Sequence, residues 1–310
     1  MGELDRGGDQ DHRDAALGHR VPWRAARRGQ AFIVPRSWQW MEGKGILAGP
    51  AQRNARHCPA APEWRVIIQE KIMSKIEWTE KTWNPAVGCT PCSPACEHCY
   101  AKRQALRLQR MGLAKYRNGF RVTLHPECLE EPLRWKKPSL IFPCSMSDLF
   151  HGDVSDDFRD RVFDVMEVCT WHTFQLLTKR YAIAELYLKK RYTGKVVPSH
   201  VWIGLSAWDS RSSVEAQGVL MRMTVRTRFL SMEPLLGPAR VIEPIEWVII
   251  GGESGPNARR MDEAWVRTIV ADCKRLNIPV FYKQKVVNGK KISMPELDGR
   301  TYGERPRFLD

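Results

Sequence analysis

Four of the nine cysteines, Cys89, Cys92, Cys96 and Cys99, fall within eleven residues. They make two overlapping three-thiol arrangements, Cys89-x6-Cys96-x2-Cys99 and Cys92-x3-Cys96-x2-Cys99. Three thiolates on one loop can hold three irons of a 4Fe-4S cluster and leave the fourth iron open. An open iron can bind and reduce S-adenosylmethionine, breaking its sulfonium bond to give a deoxyadenosyl radical. A fourth thiolate would close the site and favour electron transfer or a structural role. Four cysteines could instead hold one tetrahedral zinc. Structural zinc usually draws on two separated knuckles, and Cys89-x2-Cys92 and Cys96-x2-Cys99 lie only three residues apart. That spacing favours iron and sulfide. His98, beside Cys99, reads as a packing neighbour of the site rather than a ligand.

A second set of chemically useful residues closes short apolar runs: Ser145 and Asp148, Lys179, Ser206, Glu233, Glu253, and Lys283 with Gln284. Lys179 and Lys283 would suit a carboxylate or phosphate, and Arg180, Arg259 and Arg260 extend the positive rim. Gly251 and Gly252 permit close backbone approach to a ligand, and Glu253 could take an ammonium group or a sugar hydroxyl. A tight turn explains the two glycines equally well. Lys179, Asp148 and Glu233 are the candidates for catalysis. Glu253, Gly251, Gly252, Ser145, Ser206 and Lys283 are the candidates for cofactor binding. Asp148 and His151 form either an acid/base pair or the cap of a helix expected after residue 153. Any one such residue could simply mark where a strand leaves the core; six runs in succession are the signal. The glycine spacing fits no dinucleotide fingerprint, and the chain has no phosphate-binding lysine loop and no nucleophile elbow.

The elements that must position these groups are legible as alternation. Apolar runs begin at Leu140, Phe174, Val201, Arg228, Trp247 and Val280, each short and apolar enough for a strand buried on both faces. Helix-like stretches lie between them, at Asp157–Cys169, Ala182–Arg191, Ser212–Met223 and Glu263–Asn277. With an early strand near Arg121–Leu124, this pattern predicts an α/β fold with a parallel sheet, a complete or partial (β/α) barrel. Function in such a fold collects at the C-terminal strand ends, where the polar set falls.

Residues 1–72 read differently: ten Arg but only Lys44 and Lys71, recurrent Gly and Pro, and no sustained period. They are expected to be disordered, or an upstream extension ahead of a start at Met73, with a nucleic-acid-binding arm as the alternative. Residues 73–310 are expected to form the barrel domain. The chain carries a net charge of +14 from 49 Lys and Arg against 35 Asp and Glu. Residues 1–72 hold 12 basic and 8 acidic groups, so +10 belongs to the folded part. That surplus agrees with a nucleic acid or nucleotide partner and speaks to association rather than fold. No run approaches 18 apolar residues, which excludes a membrane helix. No signal-like stretch opens the chain, so a cytoplasmic protein is expected.

Asn84-Pro85-x2-Gly88-Cys89, followed by Cys96-x2-Cys99-Tyr100-Ala101, resembles the cluster loop of radical S-adenosylmethionine enzymes related to spore photoproduct lyase. Leu176-Leu177-Thr178-Lys179 resembles the strand-end Thr-Lys of that group. The chain is also similar, over nearly all of residues 76–300, to a phage- and prophage-associated family of unassigned reaction with the same three-cysteine loop. The resemblance implies a radical-enzyme barrel, a 4Fe-4S cluster on Cys89, Cys96 and Cys99, and S-adenosylmethionine as cofactor. Cys92 departs from the pattern, and either it or Cys89 could be the first ligand; Asn84-Pro85-x2-Gly88 favours Cys89. Enzymes of this type bind the methionine amino group through a Gly-Gly-Glu stretch after the second strand. Here Gly251-Gly252-Glu253 follows a late strand, so that role does not transfer by position, and Glu127 stands nearer the expected place. The expected function is a radical S-adenosylmethionine enzyme, a lyase or a nucleic-acid-modifying enzyme, acting on nucleic acid or a nucleotide. The alternative is a non-catalytic nucleic-acid-binding protein with structural zinc or a closed cluster.

Overall fold

A computed structural model describes residues 76–306; the expectation for residues 1–72 lies outside the described residues. The main sheet has eight strands in the order β1 (Lys81–Trp83), β4 (Leu140–Pro143), β5 (Thr173–Thr178), β6 (Val201–Ala207), β7 (Arg228–Met232), β8 (Trp247–Gly251), β9 (Val280–Val287) and β10 (Lys290–Ser293). All neighbours from β1 to β9 are parallel, and only β10 runs antiparallel, against β9. β1 and β10 are the two ends of the sheet and do not pair. The architecture is therefore a curled partial barrel rather than a closed one. β2 (Ala86–Val87) and β3 (Thr123–Leu124) form a separate antiparallel pair. The early strand expected near Arg121–Leu124 thus exists but belongs to the loop layer, not to the barrel.

Helices α1 (Tyr100–Arg110), α2 (Asp156–Val168), α3 (Tyr181–Arg191), α4 (Ser210–Arg222) and α5 (Glu263–Leu276) supply the crossovers, except that an irregular segment links β7 to β8. Their starts follow local chemistry. The Ser155 hydroxyl accepts from Phe158 N and caps α2. Asp209 and Ser212 form a reciprocal capping box on α4, and Asp262 caps α5. α5 ends at Asn277, which takes the left-handed conformation at φ 55°. The β9–β10 hairpin turns on Asn288-Gly289, both at positive φ, as a two-residue turn requires.

The two faces of the sheet have different contents. The face toward the helices is aliphatic, including Ile203, Leu205, Leu230, Val248 and Ile250. The inner face carries an aromatic layer of Trp78, Phe142, Trp202, Phe229, Trp247 and Phe281. Trp247 is its hub, with ring centroids 6.2 Å from Trp78, 6.1 Å from Trp202, 5.8 Å from Phe229 and 6.1 Å from Phe281. Gly204 makes this packing possible: a Cβ there would stand 2.2 Å from the Phe229 ring. Because strand side chains alternate, the next inward positions along each strand rise above this floor toward the C-terminal ends.

Candidate active site

Above the floor lies a cleft with an empty volume of about 1040 Å³, its open mouth included. Its lining contains Cys89, Cys92, Cys96 and Cys99 from one loop. It also contains Ser145, Lys179, Ser206, Glu233, Glu253 and Lys283 from the ends of six adjacent parallel strands.

The cysteine loop is fastened at both ends. Asn84 Oδ1 accepts from Met146 N (3.0 Å) and Ser145 Oγ (3.2 Å), joining the loop's start to the end of β4. Gly88 N donates to Met146 O, and the Ser147 hydroxyl donates to Gly88 O at 2.7 Å. Gly88 has φ +89°, and a Cβ would stand 2.2 Å from Arg121 O, so only glycine fits. Cys96 closes a short 3-10 turn, Pro94–Cys96, and Cys99 is the N-cap residue of α1. Cys89, Cys96 and Cys99 are half-buried and Cys92 is exposed; all four are free thiols. A hydrogen bond from the Cys92 thiol holds Cys96 well below the usual thiol range, at about 4, and raises Cys92. Burial pushes Cys89 up, and Arg180 Nη2 lies 3.9 Å from its sulfur.

The loop's other anchor is Glu253, 5% exposed. It accepts from His98 Nδ1 at 2.8 Å, from Arg259 N at 2.9 Å and from Arg259 Nε at 3.0 Å, with Arg259 Nη2 on its second oxygen at 2.5 Å. Arg259 Nη1 and Nη2 reach on to Glu97 and to Pro94 O. Burial alone would raise the Glu253 carboxyl; the bonds from Arg259 and His98 override it and hold the group at about 2. Glu253 therefore ties the segment between Cys92 and Cys99 to the end of β8. With His98 and Arg259 on its oxygens, it is committed to the loop rather than free for a ligand's ammonium group.

The remaining polar groups form two clusters. Lys283 Nζ donates to Glu233 Oε1 at 2.5 Å, and Gln284 Nε2 donates to Gly252 O at 2.8 Å. Gly251 backs Glu233, whose Cγ would lie 3.3 Å from a Cβ added there. Lys179 Nζ donates to Ser206 Oγ at 3.3 Å. Asp148 accepts from Thr178 Oγ1 (2.7 Å), Phe150 N (3.0 Å) and Lys179 N (3.2 Å), so its carboxylate orients the end of β5. Asp148 and His151 do not pair through their side chains, and neither caps α2. His151 Nδ1 accepts from Asp153 N, leaving Nε2 to donate to Thr90 Oγ1 at 2.7 Å. The Ser231 hydroxyl, 1% exposed and in the cleft wall, has no partner among the described residues.

The structure thus brings together the cysteines and the strand-end residues, with Gly251 immediately behind Glu233. Glu127 is exposed, bonded to His125 and not part of the cleft lining, and Arg260 is exposed outside it. Sequence reasoning passed over Tyr100, whose hydroxyl donates to Ser145 O at 2.6 Å, and Ser231. The period-two alternation from Phe229 through Ser231 to Glu233 could have found Ser231. His98 and Arg259 acquire their roles from contacts distant in sequence.

The donor set fits an iron–sulfur cluster: soft thiolates, three on one loop, half-buried beside a cleft that also carries the polar strand ends. Among the described residues no three Cys, His, Asp or Glu side chains meet closely enough to hold a single ion. In a cluster each thiolate binds a different iron, so its cysteines need not meet at a point. No described helix is long and apolar enough to cross a membrane.

The chain is similar to solved structures of spore photoproduct lyase. A mutant with bound AdoMet and dinucleoside spore photoproduct matches at 10% identity and TM-score 0.36, over 63% of this chain and 61% of that one. A second complex with dinucleoside spore photoproduct matches at 12% and 0.36, over 62% and 49%. A further mutant matches at 12% and 0.38, over 63% and 61%. The chain thus spans between about half and three-fifths of the length of these proteins. Comparison with curated proteins gives no match. A family model described as "Protein of unknown function (DUF5131)" matches residues 73–306, three-quarters of the sequence, and the chain belongs to that family.

Proposed function

We propose that residues 73–310 form a radical S-adenosylmethionine enzyme acting on nucleic acid or a nucleotide. The observation that carries this reading is the convergence of Cys89, Cys96 and Cys99 on a cleft built from six adjacent strand ends. These three residues would hold a 4Fe-4S cluster, which when bound supplies the electron that cleaves the sulfonium bond of S-adenosylmethionine.

The chain's own residues do the rest. Lys179 and Ser206 on one side, and Lys283 with Glu233 on the other, offer a cation, a hydroxyl and a carboxylate to the cofactor's polar ends and to the substrate. Ser145 and the unpartnered Ser231 hydroxyl add hydrogen-bonding positions. Asp148 acts as a positioning residue through Thr178 and Lys179. Gly251 and Gly252 leave room for Glu233 and a ligand. Glu253 holds the cysteine loop through His98 and Arg259. The aromatic floor seals the cleft from below and strengthens every charge interaction above it.

A second reading follows from Cys92, which lines the same cleft and bonds Cys96: four thiolates would close the site around zinc or a cluster and leave a non-catalytic protein. Anaerobic purification with iron, sulfide and zinc analysis, then assay of deoxyadenosine release under reductant, separates the two. Iron with sulfide and deoxyadenosine release are expected. Zinc without sulfide would sink the radical reading.

A further inference from the structure

Between residues 98 and 126 the chain carries seven Lys and Arg and no Asp or Glu. The segment folds as α1 followed by the turn Ala114–Tyr116. Ala101, Ala105 and Leu108 pack α1 onto Val87, Tyr116 and Met146. That packing turns Lys102, Arg107 and Arg110 to solvent, and Arg117 and Arg121 are exposed on the segment that follows. The nearest downstream carboxylates, Glu127 and Glu130, are engaged by His125 and Arg134, and Glu97 upstream is engaged by Arg259. None of the five exposed cations is ion-paired among the described residues. The patch is continuous with the cleft: Tyr100 and Phe120 line it, and Arg103 Nη2 donates to Ser254 O on its rim at 2.6 Å.

We infer that this face of α1 and the following turn is a docking surface for the phosphate backbone of a nucleic-acid strand, holding the polymer while one nucleotide enters the cleft. The inference rests on the proposed function for its substrate and sharpens it from nucleotide to polymer. Four of the five exposed cations are Arg, whose planar fork matches phosphate oxygens. Unpaired cations along an 11-residue helix, about 16 Å long, can follow several successive phosphates. An acidic protein or an anionic membrane would also be attracted, but neither explains a cationic track that begins at the rim of the cleft holding the cysteines.

The test is fluorescence anisotropy of the full chain with a labelled 20-mer single strand and its duplex across a salt series. The triple variant Arg107→Ala, Arg110→Ala, Arg117→Ala should weaken binding by about tenfold or more near 0.1 M salt. It should also flatten the log–log salt slope by about 2 to 3, one phosphate contact per residue removed. A control triple, Lys274→Ala, Arg275→Ala, Arg300→Ala, should leave both unchanged. Equal loss in both triples, no loss in either, or binding only to vesicles of phosphatidylserine and phosphatidylcholine would overturn the inference. Iron content and deoxyadenosine release, measured on the same preparations, should not differ between wild type and the α1 triple. If they are present while nucleic acid does not bind, the docking surface fails and the enzyme stands; if binding persists without them, the reverse holds.

Discussion

Replacing Glu253 with Gln tests whether the cysteine loop is held in place electrostatically. The amide keeps the shape and gives up the charge that Arg259 and His98 grip. Removing one partner of a buried pair costs about 3–5 kcal/mol. Arg259 is 30% exposed in its side chain and keeps Glu97 as a second partner at 2.9 Å, which lowers the expectation to about 2–3 kcal/mol. The carboxyl gives an independent bound: held at about 2 against an ordinary 4.5, it contributes at most roughly 3 kcal/mol to folding at neutral pH. The sign is that of a depressed acid. The contribution is complete above about pH 4.5 and is lost as pH falls toward 2, so the gap between wild type and variant should be equal at pH 6 and 8 and narrow below about 4.5. In urea the variant's midpoint should fall by about 1 M, given slopes of about 1–3 kcal/mol per molar. Iron bound per chain after anaerobic reconstitution should fall as well, because His98 lies between two of the cysteines. Unfolding within about 0.5 kcal/mol of wild type at pH 7, with full iron loading, would refute the clamp.

Single alanine replacements of Cys89, Cys96 and Cys99 should each remove most of the bound iron, while Cys92→Ala should retain it. Iron retained in Cys89→Ala and lost in Cys92→Ala would transfer the first ligand to Cys92. Gly204→Ala forces a methyl to within 2.2 Å of the Phe229 ring and should cost roughly 1–3 kcal/mol in denaturant unfolding. Adding Phe229→Leu should recover part of that loss; no recovery would place the strain elsewhere.

The strands were legible because parallel strands covered on both faces read as unbroken apolar runs, and four helices were found to within two residues at either end. β1 was missed because Lys81-Thr82-Trp83 is too short to show a period and is recognisable only by its pairing with Ile141–Pro143. β3 was legible as a strand but not in its sheet, since Thr123 and Leu124 carry no signal that their partners are Val87 and Ala86. α1 was hidden because its buried stripe is two alanines and a leucine in a strongly basic segment. The strand-end candidates were found by position alone, and their individual roles were not. Glu253 looked like a ligand for an ammonium group because its hydrogen-bond donors, one of them 155 residues away, cannot be read from local pattern.

What made the site legible as a group is the period of the strands. Along β6 the inward positions run Trp202, Gly204, Ser206; along β7 they run Phe229, Ser231, Glu233; along β9, Phe281 and then Lys283. Each of these three strands places an aromatic ring low and a polar group two or four residues later, so the same alternation builds a floor and a functional rim. The order has a physical consequence. A charge pair such as Lys283 and Glu233 sits above tightly packed rings that exclude water from below, so solvent reaches it only through the cleft mouth. A ligand closing that mouth would raise the strength of every charge contact inside. On this argument the aromatic layer acts on the site's chemistry without touching a ligand. A floor variant such as Trp247→Leu should therefore weaken S-adenosylmethionine binding in equilibrium dialysis even where the cysteines still carry their full iron. Unchanged affinity in a folded, iron-loaded variant would show that the floor serves stability alone.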